Sequence, residues 1–185
     1  MKTIILSTKK DLNIYINPQR QQLMRQMRLS GIPMTPKQLS EKMGISASSV
    51  QHHIGKLLEL GLIELDHTES IHGIIASFYR LTDTTVCIGA YLQDEHSQER
   101  YTLMQNMIAS VFSGFEEHCA NSLTDDTSKE NHGDILSGVV HMTKDDANTL
   151  YGIIRSYIEA HEHKGKGTVP WEYALIAYPA GEKAN

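Results

Sequence analysis

Between residues 35 and 61 the sequence carries an ordered series of helix boundaries, which constrains the fold more than any other feature. Thr35-Pro36-Lys37-Gln38 combines an N-cap residue, a proline at the first helical position and the glutamine of a capping box. Gly44 favours a left-handed turn, Ser46 is a second N-cap, and Gly61 ends the following helix. A short helix, a tight turn and a longer helix over about 46–60 are therefore predicted. The apolar side of that longer helix is Val50, Ile54, Leu57 and Leu58.

The flanking patterns extend these two helices into a larger domain. Asn17-Pro18 predicts an earlier helix that ends at Gly31. Beyond residue 61 the apolar period changes to two, which predicts strands at Leu62–Leu65 and Ile74–Leu81 with a polar tip at residues 66–70. Helix, short helix, turn, helix and β-hairpin is the order of a winged helix-turn-helix, expected here as a domain over residues 1–83.

A long helix opens the C-terminal region, residues 84–185. No proline interrupts residues 93–122, which predicts a helix of about 45 Å at 1.5 Å per residue. A helix this long usually needs a partner for its apolar side. We therefore interpret its apolar stripe as a homodimer interface, with an intrachain core as the alternative. The stripe consists of Tyr101, Met104, Ile108, Val111, Phe112 and Phe115.

The rest of the C-terminal region predicts a small β-α-β unit over about residues 135–178. Residues 135–142 and 171–178 have the composition of strands, and Thr143 begins a helix between them. The polar, aperiodic residues 121–133 are expected to form a loop. The predicted fold class is α+β, mainly α with small β: an N-terminal winged helix-turn-helix, a long helix and a β-α-β tail.

Composition and charge exclude several functional classes. No apolar run approaches the ~18 residues of a membrane span, and the opening residues 1–6 are too short for a signal-peptide core. The two cysteines make no disulfide framework, so a cytoplasmic protein is expected. No nucleophile is placed beside a base, so no enzyme is predicted. Residues 1–83 carry ten Lys and Arg against seven Asp and Glu, whereas residues 84–185 carry seven against fifteen. This asymmetry is expected if only the first half contacts a polyanion.

The outer face of the helix over about 46–60 is small, polar and not acidic. A helix held by its apolar side, with a polar outer side, fits the major groove of double-stranded DNA. Gln51 can offer a donor and an acceptor to adenine, the serines suit phosphate, and Lys56 adds a positive charge. The predicted DNA-binding residues are Thr35, Lys37, Ser46, Ser48, Ser49, Gln51, His52, His53, Lys56, His72 and Arg80.

Residues 14–83 resemble the winged-helix transcriptional regulators of the ArsR type, over a little over a third of the chain. The resemblance implies a homodimeric repressor in which each recognition helix reads one half-site of a palindromic operator. It also implies an effector that shifts DNA affinity, and a small-molecule effector is left open. The motifs that carry the resemblance are Asn17-Pro18-x-Arg20, Leu39-Ser40-Glu41-Lys42-Met43-Gly44-Ile45-Ser46, Ser49-Val50-x-x-His53-Ile54, Leu58-Glu59-Leu60-Gly61-Leu62-Ile63 and Tyr79-Arg80-Leu81-Thr82.

The sequence departs from the ArsR pattern in two places. Metal-sensing members carry cysteines in the helix that matches Thr35–Met43, and this sequence has none there, so neither a metal nor a cofactor is predicted. Residues 57–79 contain four acidic residues and no Lys or Arg. Because phosphate contacts dominate DNA affinity, weak and salt-sensitive binding is expected unless dimerisation doubles the contacts. The acidic wing leaves an alternative open, a protein-interaction adaptor that has lost useful DNA affinity.

Overall fold

The computed structural model describes residues 2–89, 92–122 and 133–180. These residues form two compact units, one of Met1–Leu103 with Ile154–Pro170 and one of the remainder. The loop expected over residues 121–133 lies largely outside the described residues. The elements in chain order are β1 (Lys2–Ile5), α1 (Lys9–Ile16), α2 (Pro18–Ser30), α3 (Pro36–Met43), α4 (Ala47–Leu60), β2 (Ile63–Ile71), β3 (Ile74–Leu81), β4 (Thr84–Cys87), α5 (Ser97–Ser122) and α6 (Lys144–Ala160).

Capping residues set the helix boundaries of the first unit, as the sequence predicts. The Asn17 side chain accepts a hydrogen bond from the Arg20 amide at the start of α2, at 3.2 Å. Thr35 and Gln38 form the reciprocal capping box of α3. The three helices α2, α3 and α4 each end at a glycine in the left-handed conformation, with φ of 62°, 66° and 72° at Gly31, Gly44 and Gly61.

A single apolar core holds α1 to α4 and the base of the hairpin together. Val50, Ile54 and Leu57 anchor α4 in this core, each with at most 1% of its surface exposed. Leu58, predicted to share that side, is 40% exposed, because it lies about 100° around the helix from Leu57. Leu60 is buried instead. The outer face of α4 therefore carries no large apolar side chain except Leu58, which lies at its edge.

The wing is an antiparallel hairpin that is longer than predicted. Strands β2 and β3 pair from Ile63 opposite Leu81 out to Ile71 opposite Ile74, with a bulge at Asp66. The tip expected at residues 66–70 is wrong, because the bulge absorbs one residue and lets the pairing continue. The true turn is His72-Gly73, whose φ angles of 50° and 80° are the positive pair that a two-residue hairpin turn requires.

Three elements of the first unit, β1, β4 and α1, were not predicted. Strands β1 and β4 pair in parallel, with Lys2 opposite Thr84 and Ile5 opposite Cys87. Helix α1 follows β1 and is capped by Thr8, whose hydroxyl accepts a hydrogen bond from the Asp11 amide at 3.1 Å. All three elements contribute apolar residues that pack on the core that α2 to α4 form.

Helices α5 and α6 confirm two predictions, while the strands of the tail are a correction. Helix α5 begins at Ser97 rather than near residue 93, and α6 begins after Thr143, which exchanges hydrogen bonds with Asp146. The strands predicted at residues 135–142 and 171–178 do not form. A strand is stabilised by a hydrogen-bonded neighbour, and neither segment pairs with one in the described part of the chain. No helix among the described residues is long and apolar enough to cross a membrane.

Candidate nucleic-acid interface

The outer face of α4 presents its polar side chains to solvent at the N-terminal end of the helix. Ser48, Ser49, Gln51 and His52 are exposed, directly above the buried Val50 and Ile54. This arrangement follows from the helical period, because residues three or four apart share one face and the positions between them face solvent. The first turn of α4 is therefore rigidly held while its side chains remain available to a ligand.

Hydroxyl groups cluster at the start of α4. The Ser46 side chain accepts a hydrogen bond from the Ser49 amide at 3.2 Å and caps the helix. Its oxygen lies 3.0 Å from the hydroxyls of both Ser48 and Ser49. Three exposed hydroxyls at a helix N-terminus are well suited to phosphate oxygens, because hydroxyls donate and the helix end carries partial positive charge. The phosphate-binding role of these serines stays a prediction.

The adjacent histidines occupy different environments. His52 is exposed, His53 is half-buried, and their rings meet edge-on with centroids 5.6 Å apart. Burial lowers the pKa of the His53 imidazole below its usual value, and the charges of Arg20 and His52 lower it further. The buried His53 Nδ1 has no hydrogen-bond partner among the described residues. His53 is thus partly enclosed within the domain, while His52 faces outward.

Three charged side chains meet where α1 packs against α4. Lys56 Nζ lies 3.1 Å from Glu59 Oε2, and Lys10 on α1 pairs with the other oxygen of the same carboxylate. Hydrogen bonds from Lys10 and Lys56 lower the pKa of Glu59, and the hydrogen bond to Glu59 raises the pKa of Lys10. One carboxylate therefore holds two ammonium groups beside α4.

An open groove of about 550 Å³ runs between α1 and α4. Its lining combines the side of α4 that carries His52 with the first turns of α1. The cations that α1 and α2 contribute are not among the DNA-binding residues predicted from the sequence, although Lys9-Lys10 is a basic pair in the basic half of the chain. The residues that line the groove are Lys9, Lys10, Asn13, Ile14, Arg20, His52 and Lys56.

Arg20 brings a fixed positive charge to this groove. Its Nε donates to the Ile14 carbonyl at 2.6 Å and its Nη2 donates to the Asn13 carbonyl at 2.9 Å. Only 8% of the residue is exposed, and burial lowers its pKa from a value so high that it stays charged. The guanidinium is therefore positioned by the end of α1 and cannot swing away as a surface lysine can.

Of the other predicted DNA-binding residues, two are engaged in contacts within the chain and two are exposed. Thr35 is buried, and its hydroxyl is used in the capping box of α3. Lys37 is exposed in the first turn of α3, and His72 is exposed at the tip of the wing. Arg80 is engaged by two carboxylates of the wing, Glu64 at 2.5 Å and Asp66 at 3.1 Å. The structure thus brings Lys56, His52 and the serines together on α4 but places Thr35 and Arg80 in intramolecular contacts.

The stripe on α5 remains partly open to solvent in a single chain. Tyr101, Ile108 and Phe112 are 57%, 42% and 48% exposed, whereas Met104, Val111 and Phe115 are half-buried. The rings of Phe112 and Phe115 have centroids 6.4 Å apart. Among the described residues, no group of three or more His, Cys, Asp or Glu is arranged to hold a metal ion.

Comparison with known families identifies the N-terminal fold. Residues 15–66 match the family described as a helix-turn-helix domain, which confirms the helix-turn-helix predicted from the sequence. With the β2–β3 hairpin that follows, this part of the chain is a winged helix. A comparison with curated proteins found no match.

Several solved structures resemble this chain at low sequence identity. The transcriptional repressor BigR from Xylella fastidiosa is 23% identical over 54% of this chain and 81% of that chain, with a TM-score of 0.31. The adhesin competence repressor AdcR from Streptococcus pyogenes is 13% identical over 81% of this chain and 83% of that chain, with a TM-score of 0.32. The heme sensor protein PefR from Streptococcus agalactiae, solved in complex with heme, is 14% identical over 82% and 79%, with a TM-score of 0.34.

Proposed function

We propose that this chain is a DNA-binding transcriptional repressor of the ArsR type that acts as a homodimer on a palindromic operator. The observation that carries the proposal is the outer face of α4, where exposed Ser48, Gln51 and His52 stand on a helix anchored by fully buried residues. A rigid helix with small polar residues at its N-terminal end enters the major groove without steric conflict. Helix α4 is the recognition helix in this account.

Each side chain on the recognition helix has a distinct role. Gln51 reads a base, because its amide can donate to and accept from adenine in the major groove. The hydroxyls of Ser46, Ser48 and Ser49 and the charge of Lys56 contact the phosphate backbone, which sets the position of the helix but carries no sequence information. Loss of Gln51 should therefore reduce specificity, whereas loss of Lys56 should weaken binding to all sequences.

Dimerisation places two recognition helices in successive major grooves, about 34 Å apart. The exposed stripe of α5 supports this part of the proposal, because Ile108 and Phe112 leave apolar surface that a second copy can cover. In this proposal residues 1–83 contact the DNA, and residues 84–185 form the dimer. An effector would act by changing the angle between the two winged domains through α5.

The test is binding of fluorescent duplex DNA by the full chain and by a variant that carries Gln51→Ala and Lys56→Ala. Both side chains lie on the outer face of α4, so the fold should survive the change, as circular dichroism can verify. A regulator loses operator binding in this variant. Unchanged DNA binding by a folded variant would show that α4 does not recognise the DNA.

A second candidate function is a protein-interaction adaptor, and one observation favours it. The wing is acidic, and its Arg80 is held by Glu64 and Asp66, so the hairpin presents little positive charge to a phosphate backbone. An adaptor keeps its cellular function when Gln51 and Lys56 are replaced by alanine, whereas a repressor loses it. The same double variant therefore separates the two functions.

A further inference from the structure

We propose that the groove between α1 and α4 binds backbone phosphates of the DNA strand beside the recognition helix, which extends the DNA contact beyond α4 itself. This inference rests on the proposed function and deepens it. The ligand chemistry is phosphate. We assign it to DNA rather than to a free phosphorylated molecule because the groove shares a wall with the helix that faces the DNA.

The groove is continuous with the recognition helix. His52 and Lys56 line the groove and also belong to the outer face of α4. When α4 lies in a major groove, the phosphates at the edge of that groove pass the sides of the helix. The strand that passes the side carrying His52 and Lys56 therefore passes the opening of the groove.

The charge of the lining is positive and partly fixed in place. Lys9, Lys10, Arg20 and Lys56 converge on the groove from three helices. Arg20 is nearly buried and is fixed by the carbonyls of Ile14 and Asn13, so one of these charges is preorganised. A preorganised cation with flexible lysines at the rim forms a built anion site rather than a chance pair of surface charges.

Two acidic side chains near the groove reduce its positive charge. Glu59 pairs with Lys10 and Lys56 and keeps both ammonium groups beside α4, but its negative charge also opposes a phosphate. Asp11, on the first turn of α1, accepts a hydrogen bond from the Thr8 hydroxyl at 2.7 Å. Neither carboxylate lines the groove. The cations of the lining therefore outnumber the acids nearby, and removal of the Glu59 charge should strengthen phosphate binding.

The experiment measures the salt dependence of binding to a random-sequence 30-base-pair duplex, with the full chain carrying Lys9→Ala and Lys10→Ala. Lys9 and Lys10 are exposed, so their replacement should leave the fold intact. A matched control carries Lys144→Ala and Lys166→Ala, which removes the same charge from exposed positions outside the groove. For each phosphate that the groove variant no longer binds, we expect its slope of log Kd against log salt to be shallower by about 0.9, and the control to match the wild type.

A second variant should have the opposite effect on DNA binding and on its salt dependence. Glu59→Gln should tighten binding to the random duplex and steepen its salt dependence, because it frees Lys10 and Lys56 from their carboxylate. The order of preference among sequences should be the same in all these variants, since phosphate contacts do not read bases. A change of preference in the Lys9 and Lys10 variant would overturn the proposal.

The outcomes distinguish this inference from the proposed function. Sequence-specific binding by the wild type, with the same slope in wild type and groove variant, overturns the groove and leaves the repressor function standing. Absence of DNA binding by the folded wild type overturns both. Binding of inorganic pyrophosphate that shifts the NMR signals of His52, together with an unchanged DNA slope, also overturns the DNA assignment and points to a free phosphorylated ligand. A reduced slope in the groove variant alone supports it.

Discussion

Glu64 and Arg80 lie opposite each other on β2 and β3, and Arg80 Nη2 is 2.5 Å from Glu64 Oε1. Asp66, displaced by the bulge in β2, reaches Nε of the same guanidinium at 3.1 Å. Arg80 is the only Lys or Arg between residues 57 and 83, so the one positive charge of the wing is paired with the wing's own carboxylates. This wing can follow a DNA backbone only weakly.

Release of Arg80 should therefore strengthen DNA binding. We expect a variant with Glu64→Gln and Asp66→Asn to bind duplex DNA more tightly at low salt and with a steeper salt dependence. Exposed ion pairs contribute about 0–1 kcal/mol, so the fold should tolerate the change. Fluorescence anisotropy at several salt concentrations measures both effects. Glu69→Gln is the control, because Glu69 lies opposite Ala76 rather than Arg80. A gain in Glu69→Gln as large as in the double variant would show that wing charge in general, and not Arg80, is responsible.

The anchoring of α4 can be tested with two neighbouring leucines. Leu57 is fully buried and Leu58 is 40% exposed. Leu57→Ala should lower the free energy of unfolding by about 2–5 kcal/mol, because it removes core packing and leaves a cavity. Leu58→Ala should cost less than about 1.5 kcal/mol. Urea unfolding followed by circular dichroism measures both values, and equal decreases would contradict the orientation of α4.

His53 should make stability depend on pH. Burial holds the pKa of folded His53 below its usual value of about 6.5, which the unfolded chain retains. The unfolded state therefore takes up a proton first as pH falls, so the stabilisation is fully present above about 6.5 and is lost toward lower pH. The Tm of the wild type should drop between about pH 7.5 and 5.5 by more than that of His53→Gln. The exposed His141→Gln is the control and should follow the wild type; an undiminished drop in His53→Gln would contradict this account.

The stripe on α5 predicts the oligomeric state. Ile108→Glu with Phe112→Glu should convert a dimer into a monomer, because two charges would be buried in an apolar interface. Light scattering after size exclusion measures the mass. Asn106→Glu with Ser113→Glu is the matched control, since both positions are exposed on the opposite side of the same helix. A wild-type monomer, or dimers in both variants, would exclude this stripe as the interface.

Local signals in the sequence account for most of the winged helix. Caps such as Thr35 and Ser46 act within four residues of themselves, and the helical period identifies Val50, Ile54 and Leu57 as anchors. Both kinds of signal depend only on near neighbours, so the boundaries of α2, α3 and α4 could be predicted. Leu58 shows the limit, because an apolar residue at the edge of a stripe can face either way.

Pairings between distant parts of the chain could not be predicted from the sequence. The parallel pairing of β1 with β4 joins residues about 80 positions apart, and no pattern of neighbouring residues predicts that these two strands pair. The pairing of Arg80 with Glu64 depends on the register of the hairpin, which places Ile63 opposite Leu81. The groove likewise requires α1 to pack beside α4, so Lys9 and Lys10 could not be joined to Lys56 from spacing alone.

The central claim is that α4 reads DNA in a symmetric dimer, and selection from a pool of random duplexes at low salt tests it most directly. The retained fraction is sequenced, with the protein shown beforehand to be folded and dimeric. We predict enrichment of a palindromic motif whose half-sites are about one helical turn apart, roughly 10 base pairs, and disappearance of that enrichment in Gln51→Ala. No enrichment by the folded dimer, or the same motif selected by Gln51→Ala, would contradict the account.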